Sequence, residues 1–196
     1  DRICTALGIA ASGASGLIRQ HGTMAKWANQ GNAARQGVTA AMLAMAGFTG
    51  DGEILEGSKG FMEVFHSNGG FNLAATVEQL GKHFHVISPG VSVRKYPCGY
   101  VHHSAIDTLL DLLKTLGVAY EDVEEVIVPV TPKLAQLYDV PVHSSVIRAK
   151  KTLRFLLAVA LTHGELKRTD FTDEKVQSPE IQEALRKIRI TSLSPA

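Results

Sequence analysis

The sequence has little cysteine and no excess of charge of either sign, and these two shortages narrow the class of protein. Cys4 and Cys98 are the only cysteines among 196 residues, which argues against a disulfide framework and is typical of a reducing compartment. Lys and Arg total 20 against 19 for Asp and Glu, which leaves a formal net charge of +1. So small a charge gives no reason to expect nucleic acid or an anionic membrane as a partner.

The sequence also lacks the segments that would place it in or across a membrane. No apolar run reaches the roughly 18 residues that suggest a membrane span. No basic segment leads from Asp1 into an apolar signal core. We therefore expect the protein in the cytoplasm. Hydrophobic residues make up 45% and charged residues 20%, which is typical of a globular protein, and the length allows one domain or two small ones.

Several motifs of well-known chemistry are missing as well. The chain contains no Walker loop, no GxGxxG and no GxSxG, so nucleotide cofactors and hydrolase triads lack support. Two histidine pairs, His83-x-His85 and His102-His103, have no Cys, Asp or Glu at the spacing of a zinc site. We therefore expect neither a metal nor a cofactor.

Small residues recur at helical spacing in the first half of the chain and predict closely packed helices. One row lies in a predicted helix over residues 6–19, and the other lies in a predicted helix over residues 32–45 that Gly47 ends. The rows are Gly8, Ser12 and Gly16, and Ala33, Gly37 and Ala41. Because these rows need partners, they indicate a larger helical body than the two helices alone.

The second half changes to the pattern of a small α/β unit. Val91 and Val93 alternate like a strand, residues 104–116 form an amphipathic helix that Gly117 ends, and residues 123–130 are β-branched. Strand, helix and strand predict a βαβ unit. A buried helix over residues 145–163 follows, and Ser178-Pro179 begins a last helix. The predicted fold is mostly α with an α/β part, divided into domains 1–91 and 92–196.

Lys26 is the first candidate for chemistry. It follows Gly22-Thr23-Met24-Ala25 between the two small-faced helices, where an ammonium can lie over a cleft and a helix N-terminus adds positive potential for an anion. The alternative is a solvated surface lysine, and the spacing does not decide between the two.

The second candidate is the segment that runs from Arg94 to His103. Arg94 and Lys95 end the predicted strand, and His102 and His103 begin the next helix. Such a cluster can bind carboxylates, and a histidine can move protons near neutral pH. The alternative is a capped helix with satisfied surface histidines. Cys98 is either a nucleophile activated by the nearby cations or a small packing residue.

A third candidate is the basic start of the predicted buried helix. Such a run usually forms a solvated face, but here the helix becomes apolar within one turn. One or two of its cations are therefore candidates for a polar cleft. The run consists of Arg148, Lys150, Lys151 and Arg154.

Taken together and in order, these motifs resemble the MmgE/PrpD family, which includes 2-methylcitrate dehydratase, cis-aconitate decarboxylase and iminodisuccinate epimerase. The resemblance covers nearly the whole chain. The similar stretches are Ala6–Gly16, Gly22–Lys26 with Gly31–Ala34, Gly47–Gly50, Leu55–Gly57 with Gly60-Phe61, Tyr96–Cys98, and His103–Asp107.

The resemblance implies a helical domain, a smaller α/β lid, and an active site in the cleft between them. It also implies that the chain is part of a longer protein, with further active-site residues before the position of Asp1 and a tail after that of Ala196. A homodimer is expected on the same ground. We expect the 196 residues alone to be inactive and to leave apolar helix surface uncovered.

Site residues follow from the resemblance position by position. Lys26 matches a family active-site lysine, Arg94 stands where the family usually has another lysine, and His103 matches a family histidine. These three are the expected catalytic residues. The expected substrate-binding residues are Lys95, Tyr100 and Lys150.

Two positions depart from the decarboxylase-like branch of the family. Gly99 stands where that branch has a histidine, and Phe155 stands where it has an active-site tyrosine. Both favour a reaction other than cis-aconitate decarboxylation. The Tyr96-Pro97-Cys98-Gly99 stretch likewise differs from the form associated with 2-methylcitrate dehydratase.

The expected function is that of a metal-free lyase or isomerase that removes a proton beside a carboxylate of a small di- or tricarboxylate. Lys26 and Arg94 are expected to approach the same substrate. The alternative is a non-catalytic family member that binds a carboxylate or serves only in assembly, and Arg94, Gly99 and Phe155 favour it.

Overall fold

The computed structural model describes residues 2–20, 22–66, 70–138, 141–142 and 145–193. The chain forms two compact units, residues 1–91 and residues 92–196, which we call the first unit and the second unit. In the described part of the chain, no helix is both long enough and apolar enough to span a membrane.

The first unit consists of helices joined by irregular loops. Its helices are α1 (Arg2–Ala11), α2 (Ala25–Met45), α3 (Phe61–Phe65) and α4 (Leu73–Val77), with a 3₁₀ turn at Ile18–Gln20. Helix α1 packs along α2. The backbone of the loop after α2 also lies against α1, because a Cβ added at Gly8 would lie 2.7 Å from the carbonyl oxygen of Asp51.

Helices α1 and α2 differ from their predicted limits. Helix α1 ends at Ala11 rather than at residue 19, because Gly13 leaves the helix and Gly16 has a φ of 116°, outside the helical region. Helix α2 begins at Ala25 rather than at residue 32, so Lys26 lies in its first turn and not on a loop.

The predicted small-residue rows are only partly covered. Gly8 makes a close contact, as predicted, but with loop backbone and not with a helix. In the described part of the chain, a Cβ added at Gly37 would meet no atom within 4 Å. Ala33 and Gly37 instead line a cavity of about 220 Å³ together with Gly13 and Ala14.

The second unit contains the hydrophobic core. Helix α8 (Leu153–His163) is buried over most of its length, and α5 (His103–Leu116) and α10 (Pro179–Lys187) pack against it. Three shorter α-helices among the described residues also belong to this unit. They are α6 (Pro132–Tyr138), α7 (Val146–Ala149) and α9 (Asp173–Gln177).

Two parallel strands form the only sheet of the described residues. Strand β1 (Val126–Val130) pairs with β2 (Ile188–Ser192) in the register Val126 to Ile188 and Val130 to Ser192. The predicted fold class, mostly helical with a small α/β part, is confirmed.

The predicted strand at Val91 and Val93 is wrong. Both side chains are exposed and the segment pairs with no described strand, because its alternation has nothing to bury against. The true partner of β1 is β2, which follows α10 without a break. The predicted helix over residues 145–163 is two helices, because Thr152 adopts an extended backbone (φ −98°, ψ 118°) between α7 and α8.

Candidate functional site

The segment before α5 places a row of polar and aromatic side chains at the start of that helix. A 3₁₀ turn at Tyr100–His102 leads directly into α5, which begins at His103. Tyr96 and Cys98, in the segment itself, are buried, and so are His102 and His103. The predicted alternative of surface histidines at this helix start is therefore wrong.

Asp107, one turn along α5, is the centre of the polar contacts. The Tyr96 hydroxyl donates a hydrogen bond of 2.6 Å to Oδ1 of Asp107, and the Lys95 ammonium forms an ion pair with the same oxygen. The Lys95 ammonium also lies 5.1 Å from the centre of the Tyr96 ring. We call Lys95, Tyr96, His103 and Asp107 the α5 cluster.

His103 lies between two tyrosine rings. The centre of its imidazole is 5.2 Å from that of Tyr96 in an edge-to-face arrangement and 5.6 Å from that of Tyr100. The residue is 8% exposed, and none of the described residues gives its Nε2 a hydrogen-bond partner. A buried ring nitrogen with no protein partner is unusual.

The electrostatics of the α5 cluster keep Asp107 ionised. The hydrogen bond from Lys95, and then that from Tyr96, hold the pKa of the Asp107 carboxyl below its usual value. Burial, followed by the hydrogen bond to Asp107, raises the pKa of Tyr96. The Tyr96 hydroxyl is therefore a donor and Asp107 an acceptor at neutral pH.

Two neighbours of the cluster are controlled mainly by burial. Burial raises the pKa of the Cys98 thiol to about 11, and the charge of Arg94 opposes this shift. Burial also lowers the pKa of His102, and a hydrogen bond with the backbone of Lys151 opposes that shift. Cys98 therefore fits the packing alternative better than the nucleophile alternative.

The turn between α7 and α8 lies beside the α5 cluster. The bond between His102 and the Lys151 backbone brings this turn to the start of α5. Lys150, half-buried, ends α7 in the same turn. Arg154 has a different place, since its guanidinium donates a hydrogen bond of 3.2 Å to the Leu185 carbonyl in the last turn of α10.

Arg94 differs from its neighbour Lys95. Its side chain is exposed, and the described residues give its guanidinium no carboxylate partner. Arg94 is close enough to Cys98 for its charge to act on that thiol. It is therefore a cation at the edge of the buried segment that is open to an anionic ligand.

Lys26 lies in the first unit, at the mouth of an open cavity of about 280 Å³. Ser15, Gly16, Asn29 and Gln30 also line this cavity. Lys26 lies in the first turn of α2, where the positive end of the helix dipole adds to the potential of its ammonium.

Three of the six predicted site residues, Lys95, Tyr100 and His103, lie near one another. The Lys95 ammonium pairs with Asp107, and the His103 ring packs against Tyr96 and Tyr100. Lys26 belongs to the first unit. The sequence reasoning missed Tyr96 and Asp107. The spacing of His103 and Asp107, four residues apart on one helix, was the signal that could have identified the second.

The two positions that depart from the decarboxylase-like branch lie in different surroundings. Gly99 is next to the site, because a Cβ there would lie 3.2 Å from the His102 ring. Phe155 is fully buried in the core, with its ring 6.1 Å from that of Phe171. Phe155 therefore packs the core and presents no group to the α5 cluster.

Over the ranges that the structure describes, no group of three or more His, Cys, Asp or Glu side chains is arranged to hold a metal ion. The α5 cluster offers Asp107 and His103, but the aspartate oxygen is already bonded to Lys95 and Tyr96.

Comparison with known proteins gives matches along most of the chain. The model of the MmgE/PrpD N-terminal domain matches residues 1–74, and that of the MmgE/PrpD C-terminal domain matches residues 96–193. Cis-aconitate decarboxylase of Mus musculus is 24% identical over 192 residues, which cover 94% of this chain. The chain spans 38% of the length of that relative. On the two domain matches, the chain belongs to the MmgE/PrpD family.

Proposed function

We propose that this protein is a metal-free lyase or isomerase that acts on a small di- or tricarboxylate by removing a proton beside a carboxylate. The observation that carries the proposal is the buried imidazole of His103, whose Nε2 has no partner among the described residues. Arg94 lies in the segment that leads to His103. Its guanidinium has no carboxylate partner among the described residues.

This chemistry needs cations near the reacting carbon. A proton beside a carboxylate is only weakly acidic, so negative charge develops on the substrate as that proton leaves. In the proposal, Lys26 and Arg94 bind carboxylates and spread this charge. Arg94 stays protonated and is suited to a bidentate grip rather than to proton transfer. His103 moves the proton.

Tyr100 and Lys150 are proposed as substrate-binding residues. Tyr100 lies beside the His103 ring with an exposed side chain, and Lys150 lies in the turn that His102 holds next to α5. Lys95 is different, because its ammonium is already paired with Asp107.

The relative supports a lyase without fixing the reaction. By its name, the mouse protein removes a carboxyl group from cis-aconitate, a tricarboxylate. Gly99 leaves the site without the histidine of that branch, and Phe155 is a core residue. The proposal therefore includes loss of water, loss of carbon dioxide and inversion of a centre as outcomes.

A proton NMR assay in D₂O tests the proposal for all of these outcomes together. The complete protein, after exhaustive chelation, is mixed with a panel of citrate-like and aspartate-derived acids. We expect one acid to exchange a proton beside a carboxylate for deuterium or to form a new product. No exchange with any acid would contradict the enzyme proposal, and activity that returns only with zinc or iron would contradict the metal-free mechanism.

Lys26→Ala is the variant that tests the cationic role. Loss of an ammonium that stabilises the transition state should lower kcat/KM by about 10²-fold or more. Arg35→Ala, which removes an exposed cation further along α2, is the matched control and should leave kcat/KM unchanged. Equal rates for Lys26→Ala and wild type would return Lys26 to the solvated-surface alternative.

A second candidate function is carboxylate binding or assembly without catalysis. The ion pair between Lys95 and Asp107 favours this alternative, because it leaves one cation fewer to bind a substrate. Calorimetric binding of an acid that shows no exchange in D₂O would support this alternative.

We also propose a domain assignment, a cellular location and an oligomeric state. The first unit forms part of the family's helical domain and the second unit part of its α/β lid, in agreement with the ranges of the two domain matches. The protein is a cytoplasmic homodimer. Sedimentation of the complete protein would test the dimer.

A further inference from the structure

The orientation of His103 depends on packing more than on hydrogen bonding. Its Nε2 has no partner among the described residues, so no bond at that nitrogen fixes the ring. The imidazole packs against the rings of Tyr96 and Tyr100. Tyr96 is 6% exposed and thus held on all sides, whereas Tyr100 is 59% exposed. Tyr96 is therefore the fixed wall of the His103 site.

Tyr96 is in turn held by Asp107. The two residues are bonded through the hydroxyl at 2.6 Å, and the acceptor is an ionised carboxylate, which makes the bond stronger than one between neutral groups. Asp107 lies one helical turn after His103 on the same face of α5. The Tyr96 hydroxyl is thus bonded to one residue of this face, and the Tyr96 ring packs against another.

We propose that Asp107 is a positioning residue for His103 and acts on it through Tyr96. Lys95 belongs to the same arrangement, because its ammonium balances the charge of Asp107 and so keeps the acceptor ionised. Lys95 is then a positioning residue too, and Arg94 is the cation of this segment that contacts substrate. The catalytic consequence rests on the proposed function, in which His103 moves the proton.

Histidine side-chain NMR tests the positioning without any turnover. The imidazole signals of His103 are identified in the complete, labelled protein as those lost in His103→Gln. Asp107→Asn, which keeps the size of the side chain, should shift them, while the signals of exposed His85 stay in place. In the Tyr96→Phe background, Asp107→Asn should shift them clearly less, because only the direct effect of the Asp107 charge on His103 remains. An equal shift in that background would show that Asp107 does not act through Tyr96.

Steady-state kinetics test the consequence on whichever acid is turned over. Asp107→Asn should lower kcat by roughly 10²-fold, the loss typical of a misplaced catalytic group, with little change in KM. The Tyr96→Phe/Asp107→Asn double variant should be no slower than the slower single variant, since the two residues act as one unit. Additive losses would overturn the proposal.

Lys95→Met separates positioning from substrate binding. A positioning role predicts a lower kcat with KM within about twofold of wild type, and Lys95→Arg should restore kcat by restoring the ion pair. A KM raised with kcat unchanged would make Lys95 a substrate ligand and overturn its place here. Lys133→Ala, an exposed cation at the start of α6, is the control. If no acid is turned over, the proposed function fails and the NMR result alone decides the positioning.

Discussion

Arg94 and Lys95 are adjacent cations, yet their surroundings give them different chemistry. Lys95 is bound to Asp107, and the hydrogen bond that its ammonium donates to that carboxylate raises the pKa of the ammonium above its usual value. The Lys95 side chain is exposed and that of Asp107 is partly exposed, so solvent screens the pair and it contributes little to the free energy of unfolding. Its effect is on geometry, because it holds the carboxylate that receives the Tyr96 hydroxyl.

At the scale of single residues, the two thiols should differ sharply in reactivity. Burial raises the pKa of Cys98 to about 11, so near neutral pH it carries very little thiolate, whereas Cys4 is exposed. We expect one thiol of the folded 196-residue chain to react quickly with Ellman's reagent and the second only after denaturation. Cys4→Ser should leave the folded 196-residue chain almost unreactive. Fast reaction of that variant would revive the nucleophile alternative for Cys98.

At the scale of elements, α10 has the clearest start in the chain. The Ser178 hydroxyl accepts a hydrogen bond from the Ile181 amide at 3.4 Å and donates one of 2.9 Å to the Lys175 carbonyl. Pro179 occupies the first turn, where its missing N–H costs nothing. The cap therefore ties the start of α10 to the end of α9.

Ser178→Ala should destabilise the second unit by about 1 kcal/mol, because it leaves the first turn of α10 without its cap. Ser178→Gly is the matched variant and should cost only a few tenths of a kcal/mol at the same cap position, about 0.3. Urea denaturation followed by far-UV circular dichroism measures both. A cost for Ser178→Gly as large as that for Ser178→Ala would assign the stabilisation to the bond with Lys175 instead.

On the scale of the whole molecule, the two units differ in how much apolar surface they bury. Among the described residues, the core lies in the second unit, and the first unit buries Ala40 and Ala44 as its apolar side chains. One face of α2 remains exposed although it is apolar. Its residues are Trp27, Val38, Met42 and Met45.

Hydrogen exchange on the 196-residue chain should therefore show two levels of protection. Amides of α8 and α10 lie in the core and should open only with the unfolding of the second unit. Amides of α1 and α2 should exchange much faster, because burial of apolar area is the main source of stability and the first unit has little of it. Light scattering should show association through the exposed face of α2. A compact monomer with uniform protection from Arg2 to Met45 would contradict this.

The sequence by itself determined the features that depend on neighbours in the chain. The end of α5 at Gly117, which has a φ of 64°, and the start of α10 at Ser178-Pro179 both follow from residues within one turn. The order of short motifs was enough to identify the family. Apolar periodicity gave the mostly helical fold class, because it requires no knowledge of the partner element.

Only the tertiary structure decided which distant residues meet. Strand β1 pairs with β2 across helices α6 to α10, and no local pattern specifies a strand partner so far away. Asp107 looked like an ordinary polar position on α5 until the preceding segment folded back and placed Lys95 and Tyr96 on its carboxylate. The physical reason is the same in both cases. Strand pairing and ion pairs depend on distances across the fold, and packing sets those distances, whereas caps and periodicity depend on backbone geometry within a few residues.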